Sequence, residues 1–311
     1  MSKGENLVKN DLKCRYFLEY VELRLYGIKL GEIKRGVDLP STICETADRD
    51  IGGLKDGDII VIASKVISKA KGYTISNPDL STKAKILSLI SGKPPQLAEA
   101  IMRNSKRIFA VIPIRDILKD SNFPRDFTDN PDEALRLLNM EGSILLTETP
   151  DGRLAADAGI DMSNAPDDIL TYPPHDPDME AAEIRRRIKE ERGIDVAVII
   201  SDTEINLFRY GSIDIAIGCS GIDPIKRGFA SVDRYGKRKF GGVDIVADEI
   251  ASAAALLMGQ TSEGVPVVVV RGLNYNRGEE GIKHIVIERR LMVKGFVLTL
   301  LKTILSRLCG I

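Results

Sequence analysis

Three short runs of aliphatic residues constrain this chain more than anything else in it. Residues 59–63 read IIVIA, residues 196–200 read VAVII and residues 267–270 read VVVV. Each run is short, uncharged and bounded by turn or polar signals, so each is expected to be a buried strand. The first follows Lys55-Asp56-Gly57 and ends at Ser64-Lys65. The second is expected to deliver Ser201-Asp202-Thr203 at its tip, and the third ends at Arg271-Gly272. Polar residues thus stand where strands give way to loops, the positions at which a rigid scaffold presents functional groups.

Between these strands the signals vary. Residues 16–33 alternate loosely and suggest one or two strands. Residues 82–104 read as helix broken at Gly92-Lys93-Pro94-Pro95, and residues 119–133 read as a loop excursion. The stretch 143–161 reads as strand, turn at Pro150-Asp151-Gly152, second strand and an acidic glycine turn. Residues 176–192 form a clear surface helix, capped by Asp176 or Asp178, acidic first and basic last, and stopped by Gly193. A further helix, VADEIASAAALLMG, ends at Gly259. This mixture lacks a regular alternation of strand and helix, so the expected class is α+β with two lobes built on mixed sheets. The expected boundaries are an N-terminal extension over 1–22, a catalytic region over 23–292 and an apolar tail over 293–311. The tail has Lys302 and Arg307 interleaved and is too short and interrupted to span a bilayer comfortably. It reads as a docking helix or dimer contact in preference to a membrane-surface anchor.

Composition removes several classes of function. A net charge of −1, no tryptophan and few aromatics argue against a nucleic-acid partner. No signal-peptide pattern opens the chain. Cys14, Cys44, Cys219 and Cys309 are scattered, which disfavours zinc and disulfides and fits a reducing cytoplasm. With only His175 and His284, a histidine-rich metal site is excluded. Any metal should be held by oxygen. There is neither a P-loop nor a Rossmann glycine fingerprint.

Three clusters remain: Asp157/Asp161/Asn164, Asp202/Thr203 and Gln260/Thr261/Glu263. Magnesium and manganese take hard oxygen ligands, and Asp161 with Asp202 meets that need. Aspartates are equally common as turn formers and helix caps, so spacing alone leaves both readings open. Ser64, Lys65 and Lys69 could meet a phosphate or merely solvate.

Read in order, GDIIVIASKVISKAKG (57–72), DAGIDMSN (157–164), PPHDPDMEAAEIRRRI (173–188), SDT (201–203), FRYGSIDIAIGCSGIDP (208–224), DRYGKRKF (233–240) and VADEIASAAALLMGQTSEGVPVVVVRG (246–272) resemble the coenzyme F420 γ-glutamyl ligases. The resemblance implies a GTP-dependent ligase that joins L-glutamate to the coenzyme F420 precursor, F420-0, through an acyl phosphate. It implies magnesium or manganese, stimulation by potassium, and a homodimer. Asp161, Asp202, Thr203 and Gln260 correspond to metal ligands. The nucleotide contacts it implies are Leu30, Gly31, Glu32, Ile33, Ser64, Lys65, Lys69 and Asn164. With them comes the loop Met258, Gly259, Gln260, Thr261, Ser262, Glu263, Gly264 and Val265.

The sequence departs from the family pattern at three places. A threonine can occupy the position of Lys65, and a glutamate that of Gln260. After Asp202-Thr203 the usual Gly-Arg pair is replaced by Glu204-Ile205-Asn206-Leu207, which bears on the acceptor substrate. The alternatives are therefore a paralogous ligase acting on another carboxylate, or a non-catalytic binding protein of the same fold.

Overall fold

The computed structural model describes residues 22–119, 121, 123, 125–164, 169–206 and 209–309. Residues 1–21 of the expected N-terminal extension, and Leu207, lie outside the described residues. The first part of the chain runs β1 (Arg24–Ile28), α1 (Leu39–Ile51), β2 (Ile59–Ala63) and α2 (Ser64–Lys71). A segment of smaller elements follows: β3 (Thr74–Ser76), α3 (Thr82–Ser91), α4 (Pro95–Arg103), β4 (Arg107–Ile112), α5 (Ile114–Leu118), α6 (Pro131–Glu141), β5 (Ile144–Glu148), β6 (Leu154–Ala156) and β7 (Ile169–Thr171). The chain then returns through α7 (Pro177–Arg192), β8 (Ala197–Ile205), β9 (Ser212–Ser220), β10 (Lys226–Arg227), β11 (Val243–Asp244), α8 (Val246–Met258), β12 (Val267–Arg271) and α9 (Arg289–Leu308).

The three aliphatic runs meet in one five-stranded sheet of order β1-β12-β2-β8-β9. β2 and β8 pair parallel and the other neighbours antiparallel, so the sheet is mixed. Alternate residues explain why the runs are apolar throughout. Ile60, Ile62, Val198, Ile200, Val267 and Val269 face α1, α2 and α7. Ile59, Val61, Ala197, Ile199, Val268 and Val270 face α8. Both faces are covered, so neither tolerates a polar residue. A separate, smaller core joins Leu97, Ala100 and Ile101 of α4 to Leu145 of β5 and Leu170 of β7. The three-stranded sheet β4-β5-β6 belongs to this second lobe. The architecture is α+β, as the sequence implied, with one mixed sheet and smaller antiparallel sheets beside it.

Helix termini follow the local signals. Asp176, not Asp178, caps α7 by accepting from Met179 N at 3.1 Å, and Gly193 ends it in the left-handed region at φ +71°. Gly92 likewise ends α3 at φ +74°. Asp178 instead accepts from the amides of Cys219, Ile282 and Lys283, tying α7 to the end of β9.

Among the described residues, 22–33 contain one strand, β1, within the one or two expected over 16–33. Two local expectations need correction. The excursion 119–133 is less irregular than its composition suggests: a helical turn spans Arg125–Phe127, and Asn130 caps α6 from within the supposed loop. Ser201, Asp202 and Thr203 are not at a strand tip. β9 pairs with β8 as far as Ile205, opposite Ser212, and this ladder carries the strand four residues beyond Ser201. The register shifts between Ile200 and Ser201, because Ile217 is extra in β9. Such a bulge re-aims the side chains that follow it.

No helix among the described residues is long and apolar enough to cross a membrane.

Candidate active site

The first wall of the site is made by α2, which starts directly at the end of β2. Ser64 is buried and its hydroxyl donates to Asp202 Oδ1 at 2.9 Å. Lys65 and Lys69 are one helical turn apart and so share a face. Lys65 Nζ pairs with Asp161 and donates to Ser163 Oγ at 2.6 Å. Lys69 Nζ donates to the Asn164 carbonyl. Both lysines therefore point at the second wall, residues 157–164.

That second wall owes its shape to an unusual backbone. Asp157, Ala158 and Gly159 all take positive φ, at +51°, +56° and +69°. Non-glycine residues adopt this region at some cost and hold it only when surroundings over-determine them. Here they do. Asp157 accepts from Leu145 N at 2.9 Å and pairs with the fully buried Lys93 at 2.9 Å, while Ala158 N donates to Thr147 Oγ1 at 3.0 Å. Only glycine fits at 159, where a Cβ would lie 2.7 Å from Pro173 Cγ and 3.2 Å from Asp202 Oδ2. The turn delivers Asp161, whose backbone makes two 2.9 Å hydrogen bonds with Thr171. Asn164 donates through Nδ2 to the Thr261 carbonyl at 3.1 Å, joining this wall to the loop after α8.

The third wall is the β8–β9 ladder with that loop. Thr203 Oγ1 lies 2.8 Å from Asp214 Oδ1 and 3.1 Å from Gln260 Oε1. Gln260 Nε2 donates to the same Asp214 oxygen at 3.0 Å. Glu263 accepts from Thr261 N at 2.9 Å, and such backbone bonds hold its carboxyl below the usual range.

These walls enclose one cavity of about 720 Å³. It is lined by all four residues at 30–33, by Ser64, Lys65 and Lys69, by Asp161 and Asn164, by Asp202 and Thr203, and by the whole loop 258–265. Every residue singled out from the sequence thus reaches a single chamber, although the chain separates them widely. Asp214 also lines it and was missed. In SIDIAIG the isoleucines at 213, 215 and 217 mark the face expected inside, so the alternation hides Asp214, which the structure buries while leaving Ile213 exposed.

With that geometry in view, the comparisons are decisive. Residues 27–272 match the family described as F420-0:Gamma-glutamyl ligase. The chain belongs to this family. It is similar to the coenzyme F420:L-glutamate ligase of Methanopyrus kandleri, 36% identical over 254 residues that cover 81% of this chain and 87% of that protein. The enzyme of the same name from Methanothermobacter thermautotrophicus is 36% identical over 276 residues, covering 87% and 98%. That of Archaeoglobus fulgidus is 36% identical over 244 residues, covering 78% and 84%.

The electrostatics of this family site carry a surplus of negative charge. Burial is the main force pushing Asp202 up to about 6; Asp161 adds to it, while the Ser64 hydrogen bond and Arg153 oppose it. Burial likewise pushes Glu204 up to about 7, helped by Asp202 and Asp157 and opposed by the Ala156 amide and Arg153. Glu204 Oε2 accepts from Ala156 N at 3.3 Å, so its carboxyl reaches back toward the base of the acidic turn. Among the described residues there is no cluster of three or more His, Cys, Asp or Glu arranged to hold a metal ion. The donor set nevertheless suits a hard divalent cation, since magnesium commonly takes one or two carboxylates and fills the rest with water or substrate oxygens. Asp161 and Asp202 would supply the carboxylates to such a cation, and Thr203 and Gln260 neutral oxygens. The raised Asp202 fits this as well, because a neighbouring cation would relieve the cost of its charge.

Proposed function

We propose that this protein is a GTP-dependent ligase that forms an amide between coenzyme F420-0 and L-glutamate, a γ-glutamyl ligation. The observation that carries the reading is the single cavity uniting two lysines, two carboxylates and the 258–265 loop. The names of the relatives supply the substrates.

In the proposed reaction a carboxylate oxygen of F420-0 attacks the γ-phosphorus of GTP, and GDP leaves with the bond electrons. The glutamate amine then attacks the acyl carbon, inorganic phosphate departs, and the nitrogen loses its proton. Phosphoryl transfer of this kind depends mainly on positioning and charge stabilisation. Lys65 and Lys69, now occupied by Asp161 and the Asn164 carbonyl, are the cations free to re-pair with polyphosphate. Ser64 holds Asp202 in orientation through its 2.9 Å hydrogen bond. Asn164 and Thr261 close the chamber between the second and third walls. Magnesium or manganese would be held by Asp161, Asp202, Thr203 and Gln260, and when bound neutralises phosphate charge. Potassium stimulation, a homodimeric state and a cytoplasmic setting complete the proposal.

A second reading is favoured by one observation. Glu204 places a half-buried carboxylate beside the chamber, where the family has a glycine in the Gly-Arg pair. A phosphate-bearing acceptor would meet one more negative charge and one fewer positive one, so the acceptor could be a different carboxylate. Incubation with GTP, Mn²⁺, L-glutamate and F420-0, read by mass spectrometry, separates the two. A product heavier by one glutamyl residue supports the first. GTP binding without that product overturns it and leaves the second.

A further inference from the structure

Helix α9 is a 20-residue element without a single buried residue. Ten of its large apolar side chains stand in solvent, from Leu291 at 51% exposed through Phe296 at 53% and Leu300 at 64% to Leu308 at 79%. Residues of this kind normally seek cover, and an exposed stretch of such extent marks an interaction surface. The helix also lies outside residues 27–272, the part of the chain that matches the ligase family. The catalytic fold therefore does not explain it.

Its charge says what covers it. Between 289 and 308 there are five Lys or Arg residues, Arg289, Arg290, Lys294, Lys302 and Arg307, and no Asp or Glu. With residues set about 100° apart, the apolar side chains from Phe296 round to Leu291 sweep roughly 220° of the circumference. Four of the five cations, Arg289, Arg290, Lys294 and Arg307, project within that arc, while Gly295, Thr299, Lys302, Thr303 and Ser306 fill most of the rest. Pairing with a second copy of the helix would cover a narrower stripe and would bring ten cations together with no acid between them. A bilayer surface covers a wide apolar arc at once, and long cationic side chains reach from it to the lipid phosphates.

We propose that α9 docks this ligase-family protein onto an anionic membrane surface, lying in the interface and not across it. The proposal is independent of which acceptor the active site uses. The test is co-sedimentation of the full chain with phosphatidylcholine vesicles, with and without phosphatidylglycerol. Binding should be strong to the anionic vesicles, weak to the neutral ones and reduced by salt. Each cation near such a surface is worth roughly a fivefold change in partitioning, so Lys294→Gln/Lys302→Gln should weaken it about 25-fold at low salt. Phe296→Ser/Leu300→Ser should abolish it. Both pairs are exposed, and unchanged thermal unfolding of the variants confirms that the fold is intact. No association with anionic vesicles, equal association with neutral ones, or binding that survives Phe296→Ser/Leu300→Ser overturns the proposal. So does an α9-dependent dimer in protein that ignores vesicles.

Discussion

Lys93 offers the sharpest test of how the acidic turn is held. Its side chain has no solvent exposure, and Nζ lies 2.9 Å from Asp157 Oδ2, on a carboxylate that is itself only 19% exposed. The other Asp157 oxygen accepts from Leu145 N. Lys93→Met keeps most of the aliphatic volume and removes the charge. Breaking a buried pair from one side costs about 3–5 kcal/mol, because the remaining charge is stranded. Asp157 keeps its amide bond and some solvent, so the lower end, about 3 kcal/mol, is expected. In Lys93→Met/Asp157→Asn position 157 no longer carries a stranded charge, and the asparagine oxygen can still accept from Leu145. The double variant should therefore cost only about 1 kcal/mol, which makes the pair strongly non-additive. Urea unfolding of the wild type, both single variants and the double variant reads the coupling directly. Mn²⁺ titration calorimetry supplies a second readout, since the turn delivers Asp161: affinity should fall in Lys93→Met and recover in the double variant. A single-variant loss under about 1 kcal/mol, or costs that simply add, would refute the claim that this pair holds the turn.

Three further outcomes follow from the same geometry. Asp202 and Glu204 sit at about 6 and about 7, above the ordinary carboxylate values. In that window the folded state keeps protons that the unfolded chain has released, so cation-free stability should fall as pH rises from about 4 to 7. Saturating Mn²⁺ should flatten that slope in thermal unfolding, and a cation-free profile with no slope would contradict the assignment. Ser64→Ala removes the hydrogen bond that orients Asp202 and should lower Mn²⁺ affinity about 10–100-fold with little change in stability; unchanged affinity in calorimetry would remove Ser64 from the site. Gly159→Ala forces a Cβ to within 2.7 Å of Pro173 and 3.2 Å of the Asp202 carboxylate at φ +69°. It should cost on the order of 2 kcal/mol in urea unfolding and weaken Mn²⁺ binding as well, whereas a neutral effect on both would deny the close packing.

Much of this could be read from the chain because the signals were local. IIVIA and VVVV are strands in any context that buries both faces, and the sheet does so with α1, α2 and α7 on one side and α8 on the other. The Asp176 cap, the Gly193 stop and the break at 92–95 depend on neighbours a few residues away. What escaped depended on partners far along the chain. Thr203 faces Asp214 through a β ladder, and no periodicity in 196–205 could reveal that β9 would extend the strand past Ser201. Asp157 looked like turn filling, yet it is anchored by Lys93, a residue inside what the sequence presents as a helix-breaking Gly-Lys-Pro-Pro stretch. Convergence of Ser64, Asp161 and Asp202 was expected from the family resemblance, not from spacing, because three separate segments must fold before those oxygens meet.

The departures at 204 and 260 acquire a physical meaning together. Gln260 donates to Asp214 through Nε2 and presents Oε1 to Thr203. A glutamate in the same place would set a second carboxylate about a hydrogen-bond length from Asp214, an arrangement that holds only with a proton or a cation between them. The amide instead gives Asp214 a hydrogen-bond donor and needs neither. Negative charge is thus withdrawn from the loop side of the chamber, while Glu204 adds a carboxylate on the β8 side, close enough to Asp202 to feel its charge. On the proposed function, a shift of charge from the 258–265 loop toward the β8–β9 ladder would leave the wall assigned to the nucleotide less negative and the ladder side more so. That is the change expected if the site keeps a polyphosphate and alters what it offers to the second substrate.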